Sequence, residues 1–394
     1  MFVVTLEENI SKIIGEKEKP YEKFYFKANP FPVQQILYPD RFIGFKRFNE
    51  MLLSLIKKYK ESGNSNSLVI YGDNKGGKSH ALRYIEYVIN TFIFLRSKLL
   101  RAVYIHNPPD VKGGEKGTFH DTYRGILEEL SMVFFDELIK EISKNPEIEI
   151  KKDKVGEVPN IKHFLMDRGV TKDLSTCFDV WYSEDKRDLA WNWLCGHKLN
   201  KFELEKLGVM RNIESSSRAI YMLNEIIKCG QLVFNKNFGI CILIDEFEEL
   251  ERQTKRDRIR YYADIRNLID SLPRGLLLII GTAPSGWNKL EDYVALLIRL
   301  KKRVLYLKEL DEKDALEYAR NYLRWGREEY CKIKNKTLEE IINEIKKLNG
   351  DPEFFPFTRR EIIEIFNQSR KAGEDVSKPG IFLEILHEEL ERKL

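Results

Sequence analysis

The chain has 394 residues, more than one compact core usually needs, so we expect an α/β core accompanied by a helical lobe. Hydrophobic residues make up 43% and charged residues 32% of it, a globular composition that excludes a disordered or low-complexity protein. The formal net charge of +4, from 66 basic and 62 acidic residues, excludes a dedicated DNA-coating protein, so any contact with nucleic acid must be local.

Three sequence features bear on localisation. Glu7 and Glu8 fall where a signal peptide needs an apolar run, within an N-terminal segment that we take as residues 1–24. The longest apolar runs are shorter than the roughly 18 residues that span a bilayer. Five scattered cysteines without a CxxC pair favour reduced thiols. We therefore expect a cytoplasmic protein without membrane contact.

The first predicted elements lead to a short buried strand. Residues 21–32 are aromatic and interrupted by prolines, which predicts an extended arm that packs through its rings. An amphipathic helix follows. The β-branched run 67–71 predicts a strand that ends at a glycine-rich turn, and a helix and a second strand at 102–106 come next.

A large insertion, at about residues 108–235, separates the second strand from the third, at 239–244. Its sequence is mostly helical in pattern and charged, with a polar loop from Asn145 to Asn160. Its aromatic segment contains Trp181, Trp191 and Trp193. These side chains fit a core better than a surface for stacking bases, although both interpretations stay open.

The rest of the chain predicts a parallel sheet and then a helical bundle. A helix at 255–271, a strand at 276–280, a helix at 287–300 and a strand at 303–307 complete a set of five strands separated by helices. This alternation predicts a parallel α/β sheet covered on both faces. Proline and glycine then punctuate four predicted helices, at 311–325, 337–348, 358–371 and 379–393.

The strongest motif follows the first strand and fits the pattern GxxxxGK[ST]. Its residues are Gly72, Asp73, Asn74, Lys75, Gly76, Gly77, Lys78 and Ser79. Glycines let successive N–H groups turn toward phosphate oxygens, and the helix that begins here adds its positive dipole end. Lys78 would reach the β- and γ-phosphates, and Ser79 would bind Mg²⁺. We count the next residue, His80, in the same ATP-binding set.

Two carboxylates end the third strand. Asp245 would hold the Mg²⁺, and Glu246 would orient and deprotonate the attacking water. The alternative is a solvated acidic turn, continued by Glu248, Glu249 and Glu251.

Thr282 follows the fourth strand. Because ligand-facing residues lie at the carboxyl ends of parallel strands, its hydroxyl is placed to sense the γ-phosphate. A polar turn would explain the same residue.

Two basic groups are candidate DNA contacts. The first has helical i, i+4 spacing and comprises Arg252, Arg256 and Arg260; the second comprises Lys301, Lys302 and Arg303. A solvated helix face is the competing interpretation.

Five features follow one another along the chain: the arm, the phosphate loop (Walker A), the Asp245–Glu246 strand (Walker B), the Thr282 strand and the C-terminal helices. This ordered set resembles the AAA+ superfamily. The resemblance is to its origin-recognition and archaeal ATPase group, with related proteins of defence and mobile-element systems. It covers residues 25–106 and 236–394 and leaves the insertion unexplained. It implies a P-loop sheet of order 5-1-4-3-2 in a core at 25–310, and a helical lid at 311–394.

The resemblance also implies roles by position. Ile43 and Gly44 would lie near the adenine. Arg299, just before the last strand, would be an arginine finger that completes the site of a neighbouring subunit; a cation at a helix C-terminus is the alternative. The lid departs from the family pattern, because Gly380 stands where relatives carry a sensor arginine. Arg359 or Arg360 is the candidate substitute.

Two functions fit these features. The first is an oligomeric ATPase that acts on DNA as a loader, a remodeller or a defence or mobile-element accessory. The second is a nucleotide-controlled switch or scaffold whose insertion binds a protein, in which case we expect deletion of residues 145–235 to abolish partner binding and spare ATP binding. A small-molecule kinase fits less well, because such kinases rarely combine the Asp-Glu strand, the sensor strand and the lid.

Overall fold

A computed structural model describes most of the chain in two compact units. Its described residues are 20–34, 37–43, 46–106, 118–148, 150–153, 156–290, 293–371 and 375–394. Within these described ranges, unit 1 comprises residues 20–43, 74–77 and 308–394, and unit 2 comprises residues 46–73 and 78–307. None of the helices in the described ranges is both long enough and apolar enough to cross a bilayer.

Unit 2 contains a five-stranded parallel sheet. Its strands are β1 (Asn66–Tyr71), β2 (Leu100–His106), β5 (Gly239–Asp245), β6 (Leu276–Thr282) and β7 (Val304–Tyr306). The two remaining strands, β3 (Ile150–Asp153) and β4 (Gly156–Pro159), form a separate hairpin. The spatial order is β2-β5-β6-β1-β7, which is 5-1-4-3-2 when the five sheet strands are numbered along the chain. The predicted order is therefore confirmed. Every residue of β5 and β6 is buried, as expected for a sheet covered on both faces.

Helices separate these strands along the chain. In unit 2 they are α1 (Lys46–Ser62), α2 (Lys78–Val88), α3 (Phe119–Ser143), α4 (Ile161–Asp167), α5 (Lys172–Asp179), α6 (Arg187–Leu194), α7 (Lys201–Leu207), α8 (Ser216–Val233), α9 (Lys255–Ser271), α10 (Pro284–Leu290) and α11 (Val294–Leu300). A π-helical segment, Ile89–Phe94, and a single α-helical turn, Leu95–Ser97, continue α2, and a 3₁₀ helix, Phe247–Arg252, follows β5. The single helix expected at 287–300 is instead the pair α10 and α11.

The strand register brings the candidate residues to one edge of the sheet. Tyr71, the last residue of β1, pairs with Thr282 of β6. His106, the last residue of β2, pairs with Asp245 of β5. Because all five strands are parallel, the phosphate loop, the acidic pair and the candidate sensor follow the carboxyl ends of neighbouring strands.

The insertion differs from its sequence interpretation at one point. The stretch expected to be a polar loop from Asn145 to Asn160 contains an antiparallel hairpin of β3 (Ile150–Asp153) and β4 (Gly156–Pro159). Each of these strands has only four residues, so an alternation of polar and apolar residues is hard to recognise in the sequence.

The helices of the insertion share a hydrophobic core with the sheet. This cluster joins Ile242 and Leu278 of the strands to buried Trp181 and Trp193. The indole N–H of Trp181 donates to Asp136 Oδ1 at 2.8 Å, and that of Trp193 donates to the carbonyl oxygen of Arg211 at 3.0 Å. These two rings are therefore part of the core and are not a surface for stacking bases.

Unit 1 combines the N-terminal arm with the C-terminal helices. These helices are α12 (Glu312–Lys334), α13 (Leu338–Lys347), α14 (Arg359–Lys371) and α15 (Pro379–Arg392). The arm begins with a 3₁₀ helix, Pro20–Phe24, and packs through its rings: the centroid of Phe31 lies 6.4 Å from that of Tyr322 and 6.3 Å from that of Phe357. Arg327 is buried and donates to the carbonyl oxygens of Pro352 and Phe355 at 2.7 and 2.6 Å.

Candidate nucleotide-binding and active site

The phosphate loop turns through two left-handed residues. Lys75 has φ = 60° and Gly77 has φ = 86°. A Cβ added at Gly77 would meet no atom within 4 Å, so the backbone conformation, and not crowding, is what calls for glycine there. At the start of the loop the Gly72 N–H donates to the carbonyl oxygen of Thr282 at 3.3 Å. Such a succession of turns brings backbone N–H groups into a concave anion-binding arrangement.

Lys78 begins α2 with a side chain that is only 7% exposed. Its ammonium group donates to the carbonyl oxygens of Gly72 and Asp73, both at 2.9 Å, and lies 3.8 Å from Glu248 Oε1. Burial lowers the pKa of Lys78, and Glu248, followed by Asp245, opposes that shift. The cation is therefore held against the loop, with two carboxylates close enough to stabilise its charge.

Asp245 is fully buried, and both of its oxygens accept a hydrogen bond. The Tyr104 hydroxyl donates to Oδ2 at 2.5 Å, and the Glu246 N–H donates to Oδ1 at 2.9 Å. The guanidinium of Arg83 stacks on the Tyr104 ring, 3.5 Å from its centroid. Burial, and then Asp245, raises the pKa of Tyr104, so the tyrosine stays a donor. These contacts fix the orientation of a carboxylate that still has free lone pairs.

Glu246 adopts a left-handed conformation with φ = 53° and ψ = 40°. Non-glycine residues are uncommon in this region, and they concentrate at functional sites. The side chain is 52% exposed, and its Oε2 lies 3.7 Å from His106 Nδ1. The backbone therefore turns Glu246 away from the buried position of Asp245 and toward solvent, where water is available.

Glu248 connects Lys78 with the end of β6. Its Oε2 accepts a hydrogen bond from the Ala283 N–H at 3.0 Å, and the residue before Ala283 is the fully buried Thr282. The side chain of Glu248 is 15% exposed. It therefore does not belong to a solvated acidic turn, the alternative that the sequence left open for this residue.

The chain has an α/β P-loop fold. The strand order, the loop between β1 and α2, and the acidic pair at the carboxyl end of β5 establish this fold. No protein-family model and no curated protein matches the sequence.

Two solved structures are similar in fold. A Walker-type ATPase of Pyrococcus abyssi is 14% identical with a TM-score of 0.38, over 87% of this chain and 75% of that chain. The ORC2 protein of Aeropyrum pernix, solved as ADPNP and ADP complexes, is 10% identical with a TM-score of 0.38, over 85% of this chain and 67% of that chain. At these TM-scores the likeness assigns no function to this chain.

The remaining candidate nucleotide residues lie around the loop and in unit 1. Ser79 lies in the first turn of α2 and is half-buried, and His80 is buried. Asn74 is exposed. The carbonyl oxygen of Ile43 accepts from the Tyr318 hydroxyl at 3.4 Å within unit 1. Gly44 lies outside the described residues.

Arg299 lies at the amino end of β1, at the sheet edge opposite the phosphate loop. Its carbonyl oxygen accepts from the Ser67 hydroxyl at 3.1 Å. Its guanidinium binds Asp270 through two bonds, from Nε to Oδ1 at 2.6 Å and from Nη2 to Oδ2 at 2.8 Å. Arg299 therefore does not reach the candidate site of its own chain.

The basic residues do not form one stripe. Arg252 ends the 3₁₀ helix and pairs with Glu249 at 2.5 Å, whereas Arg256 and Arg260 are exposed on α9. The i, i+4 spacing of the three arginines thus crosses a break between two helices. Lys301 and Lys302 are exposed, but Arg303 is half-buried and donates to Asn66 Oδ1 at 2.6 Å.

The candidate lid residues lie in unit 1. The Gly380 N–H donates to the carbonyl oxygen of Lys75 at 3.2 Å, and the ammonium of Lys75 pairs with Glu384 at 2.8 Å. Arg360 pairs with Glu364 at 2.7 Å, and Arg359 is exposed.

The donor set at the candidate site suits Mg²⁺. Among the described residues no group of three His, Cys, Asp or Glu side chains converges to hold a metal. Mg²⁺ uses few protein ligands, commonly one or two carboxylates together with water and substrate phosphates. A fixed carboxylate at Asp245 and a hydroxyl at Ser79 match that requirement better than they match zinc, which needs three or four nitrogen or sulfur ligands.

Proposed function

We propose that this chain is an AAA+ ATPase that binds ATP and hydrolyses it with Mg²⁺. The observation that carries the proposal is the set of contacts around Lys78, which links the phosphate loop to Glu248 and the end of β6 close to the buried carboxylate of Asp245. A cation and a fixed carboxylate at the carboxyl edge of a parallel sheet are the groups that phosphate and metal binding require.

Each residue has a role that follows from its position. Lys78 and the N–H groups of residues 72–79 bind phosphate oxygens. Ser79 and Asp245 hold Mg²⁺, which neutralises charge on the phosphates when bound. Glu246, beside His106, orients the attacking water and accepts its proton, and Thr282 supplies a polar group near the γ-phosphate.

Two variants separate ATP binding from hydrolysis. Lys78→Ala should lose ATP binding, and Glu246→Gln should keep it while turnover falls by about 10²–10⁴-fold, the usual contribution of a general base. Calorimetry measures the affinity, and phosphate release measures the turnover. The control is Glu249→Gln, since Glu249 pairs with exposed Arg252 and should leave both unchanged. Wild-type turnover in Glu246→Gln would remove Glu246 from the mechanism.

Self-association is supported by the position of Arg299 at the edge of the sheet away from its own phosphate loop. If an arginine there serves a nucleotide site, that site belongs to another copy. Arg299→Ala alone should bind ATP but lose turnover. When it is mixed with Glu246→Gln, turnover should return, because each intact site then meets an intact Arg299. If turnover stays absent in every mixture, Arg299 has no role in a neighbouring site.

DNA association is supported by the exposed cations Arg256, Arg260, Lys301 and Lys302. It would make the chain a DNA loader, a remodeller or a defence or mobile-element accessory. Turnover should rise with a DNA duplex and lose that response between about 50 and 200 mM salt. Reversing the charges of Arg256 and Arg260 should remove the response, and reversing those of Lys346 and Lys347 in unit 1 should not. Turnover indifferent to DNA at low salt contradicts this role.

The alternative is a nucleotide-controlled switch or scaffold whose insertion binds a protein. It is favoured by a cavity that the insertion forms apart from the nucleotide residues. In that case a partner, and not DNA, changes the turnover, and variants at the cavity change partner binding without changing turnover in the isolated protein.

A further inference from the structure

The insertion contains a cavity of about 650 Å³, a volume typical of ligand sites. It lies where α5 and α8 begin, against the segment that follows α7. Its walls include Lys172, Asp173, Met210, Arg211, Tyr221 and Met222. None of these residues belongs to the candidate nucleotide site.

The floor of the cavity is a fixed ion pair. Arg218 Nη2 donates to Asp173 Oδ2 at 2.7 Å and to the carbonyl oxygen of Arg211 at 3.4 Å. The Met210 N–H donates to the other carboxylate oxygen of Asp173 at 3.0 Å. Asp173 is therefore neutralised from inside the fold and holds the segment carrying Met210 and Arg211 in place.

The rim of the cavity carries uncompensated positive charge. Lys172 and Arg211 are both exposed, and neither forms an ion pair with any residue that the structure describes. Since Arg218 and Asp173 cancel, the cavity has an excess of two positive charges. Such a rim attracts an anionic ligand and sets its orientation.

Apolar groups lie between these charges. Met210 is 76% exposed and Tyr221 is 49% exposed, and the buried Met222 continues the same wall. Flexible thioethers adapt to side chains of different shape, and a tyrosine offers a flat apolar face with a polar tip. The cavity therefore combines an apolar contact with a cationic rim.

We infer that this cavity binds a segment of a partner protein in which an acidic side chain lies next to an apolar one. The inference deepens the alternative proposal that the insertion binds a protein, and it does not depend on ATP hydrolysis. A nucleic acid fits less well, because Tyr221 is the one exposed ring in the cavity lining on which a base could stack.

The test is an unbiased selection of peptides on the full-length protein. A library of random peptides displayed on phage is selected on the wild type after depletion on the variant Lys172→Glu/Arg211→Glu. We expect the enriched peptides to combine Asp or Glu with Leu, Phe or Met. Fluorescence anisotropy of the best peptide should show affinity at least tenfold weaker for Lys172→Glu/Arg211→Glu, and weaker also for Met210→Ser.

A matched variant controls for charge alone. Lys198→Glu/Lys201→Glu reverses two exposed lysines of the insertion that do not line the cavity, and it should bind the peptide like the wild type. Circular dichroism verifies that all variants are folded. Phosphate release by Lys172→Glu/Arg211→Glu should equal that of the wild type, so failure of peptide binding is distinguished from failure of the ATPase proposal.

Three results would overturn the inference. They are the absence of any peptide whose binding depends on Lys172 and Arg211, the enrichment of peptides without acidic residues, and binding of a labelled oligodeoxythymidine that the same charge reversal abolishes. The last result would assign the cavity to nucleic acid.

Discussion

Replacing Glu248 by glutamine tests the contact that joins the phosphate loop to the end of β6. The glutamine oxygen can still accept from the Ala283 N–H, but the negative charge that lies 3.8 Å from the ammonium of Lys78 is removed. Both side chains are mostly buried, so the loss is little screened by solvent.

The size of the effect can be bounded. Two unit charges at this distance attract by about 4 kcal/mol at an effective dielectric constant of about 20, which is an upper limit. Lys78 keeps its two carbonyl acceptors, so we expect a smaller loss in the free energy of unfolding, about 2 kcal/mol. Glu248→Ala also leaves the Ala283 N–H without its acceptor and should cost about 1 kcal/mol more.

Urea unfolding, followed by tryptophan fluorescence, measures these losses. Glu249→Gln is the control, since Glu249 pairs with the exposed Arg252 and its replacement should change stability by less than about 0.5 kcal/mol. Added ATP should stabilise Glu248→Gln more than the wild type, because phosphates return negative charge to Lys78. A variant as stable as the wild type, or one that ATP stabilises less, would refute the proposed role of Glu248.

Three further predictions concern the same site. Gly286→Ala should lower the free energy of unfolding, measured in urea, by about 1–3 kcal/mol, because its Cβ would lie 2.7 Å from Glu248 Cα. Gly125→Ala is the control and should not lower it, because Gly125 lies within a helix and the nearest atom to its Cβ would be a side-chain carbon at 3.4 Å. Tyr104→Phe should raise the Mg²⁺ concentration for half-maximal turnover by about tenfold or more, because Asp245 loses an orienting donor; an unchanged requirement refutes this. ATP affinity should fall as pH rises through the lowered pKa of Lys78, below the 10.5 of a free lysine, because only the protonated amine binds phosphate; Lys78→Arg should show no such fall in titrations.

The fold was predictable from the sequence because its signals are local. An apolar run followed by a turn with fixed glycines identifies β1 and the loop, and a second apolar run ending in Asp245 and Glu246 identifies β5. The order 5-1-4-3-2 came from the resemblance that these segments support together, and the register confirms it. No long-range contact had to be known for either step.

The contacts within the site were not predictable, because they join residues far apart in the sequence. The Tyr104 hydroxyl donates a hydrogen bond to the carboxylate of Asp245, which lies 141 residues later in the sequence. Nothing in the sequence around Tyr104 indicates a polar partner. Glu248 lies among several glutamates in the sequence, and only the fold shows that it is the one in contact with Lys78 and the Ala283 N–H. One signal was available for His106: it ends a strand at the edge of the sheet where ligands bind.

The shared core bears on how the insertion can be tested. Helix α8 packs against α3, β5 and α9, and its buried apolar residues include Ile220, Leu223, Ile226 and Ile227. At about 1.5–3 kcal/mol each, these four side chains alone approach the usual total stability of a domain, about 5–15 kcal/mol. Deletion of residues 145–235 should therefore unfold the protein, contrary to the expectation that it spares ATP binding.

Circular dichroism and the elution volume of the deletion variant would measure this outcome. A folded, ATP-binding deletion variant would show that the sheet is stable without α8 and that the core contacts are dispensable. If the variant unfolds, its loss of partner binding carries no information about the partner. Substitutions at exposed positions such as Lys172 and Arg211 then become the means of testing the proposed binding by the insertion separately from the proposed hydrolysis. They alter charge at the rim of the cavity without removing a buried side chain.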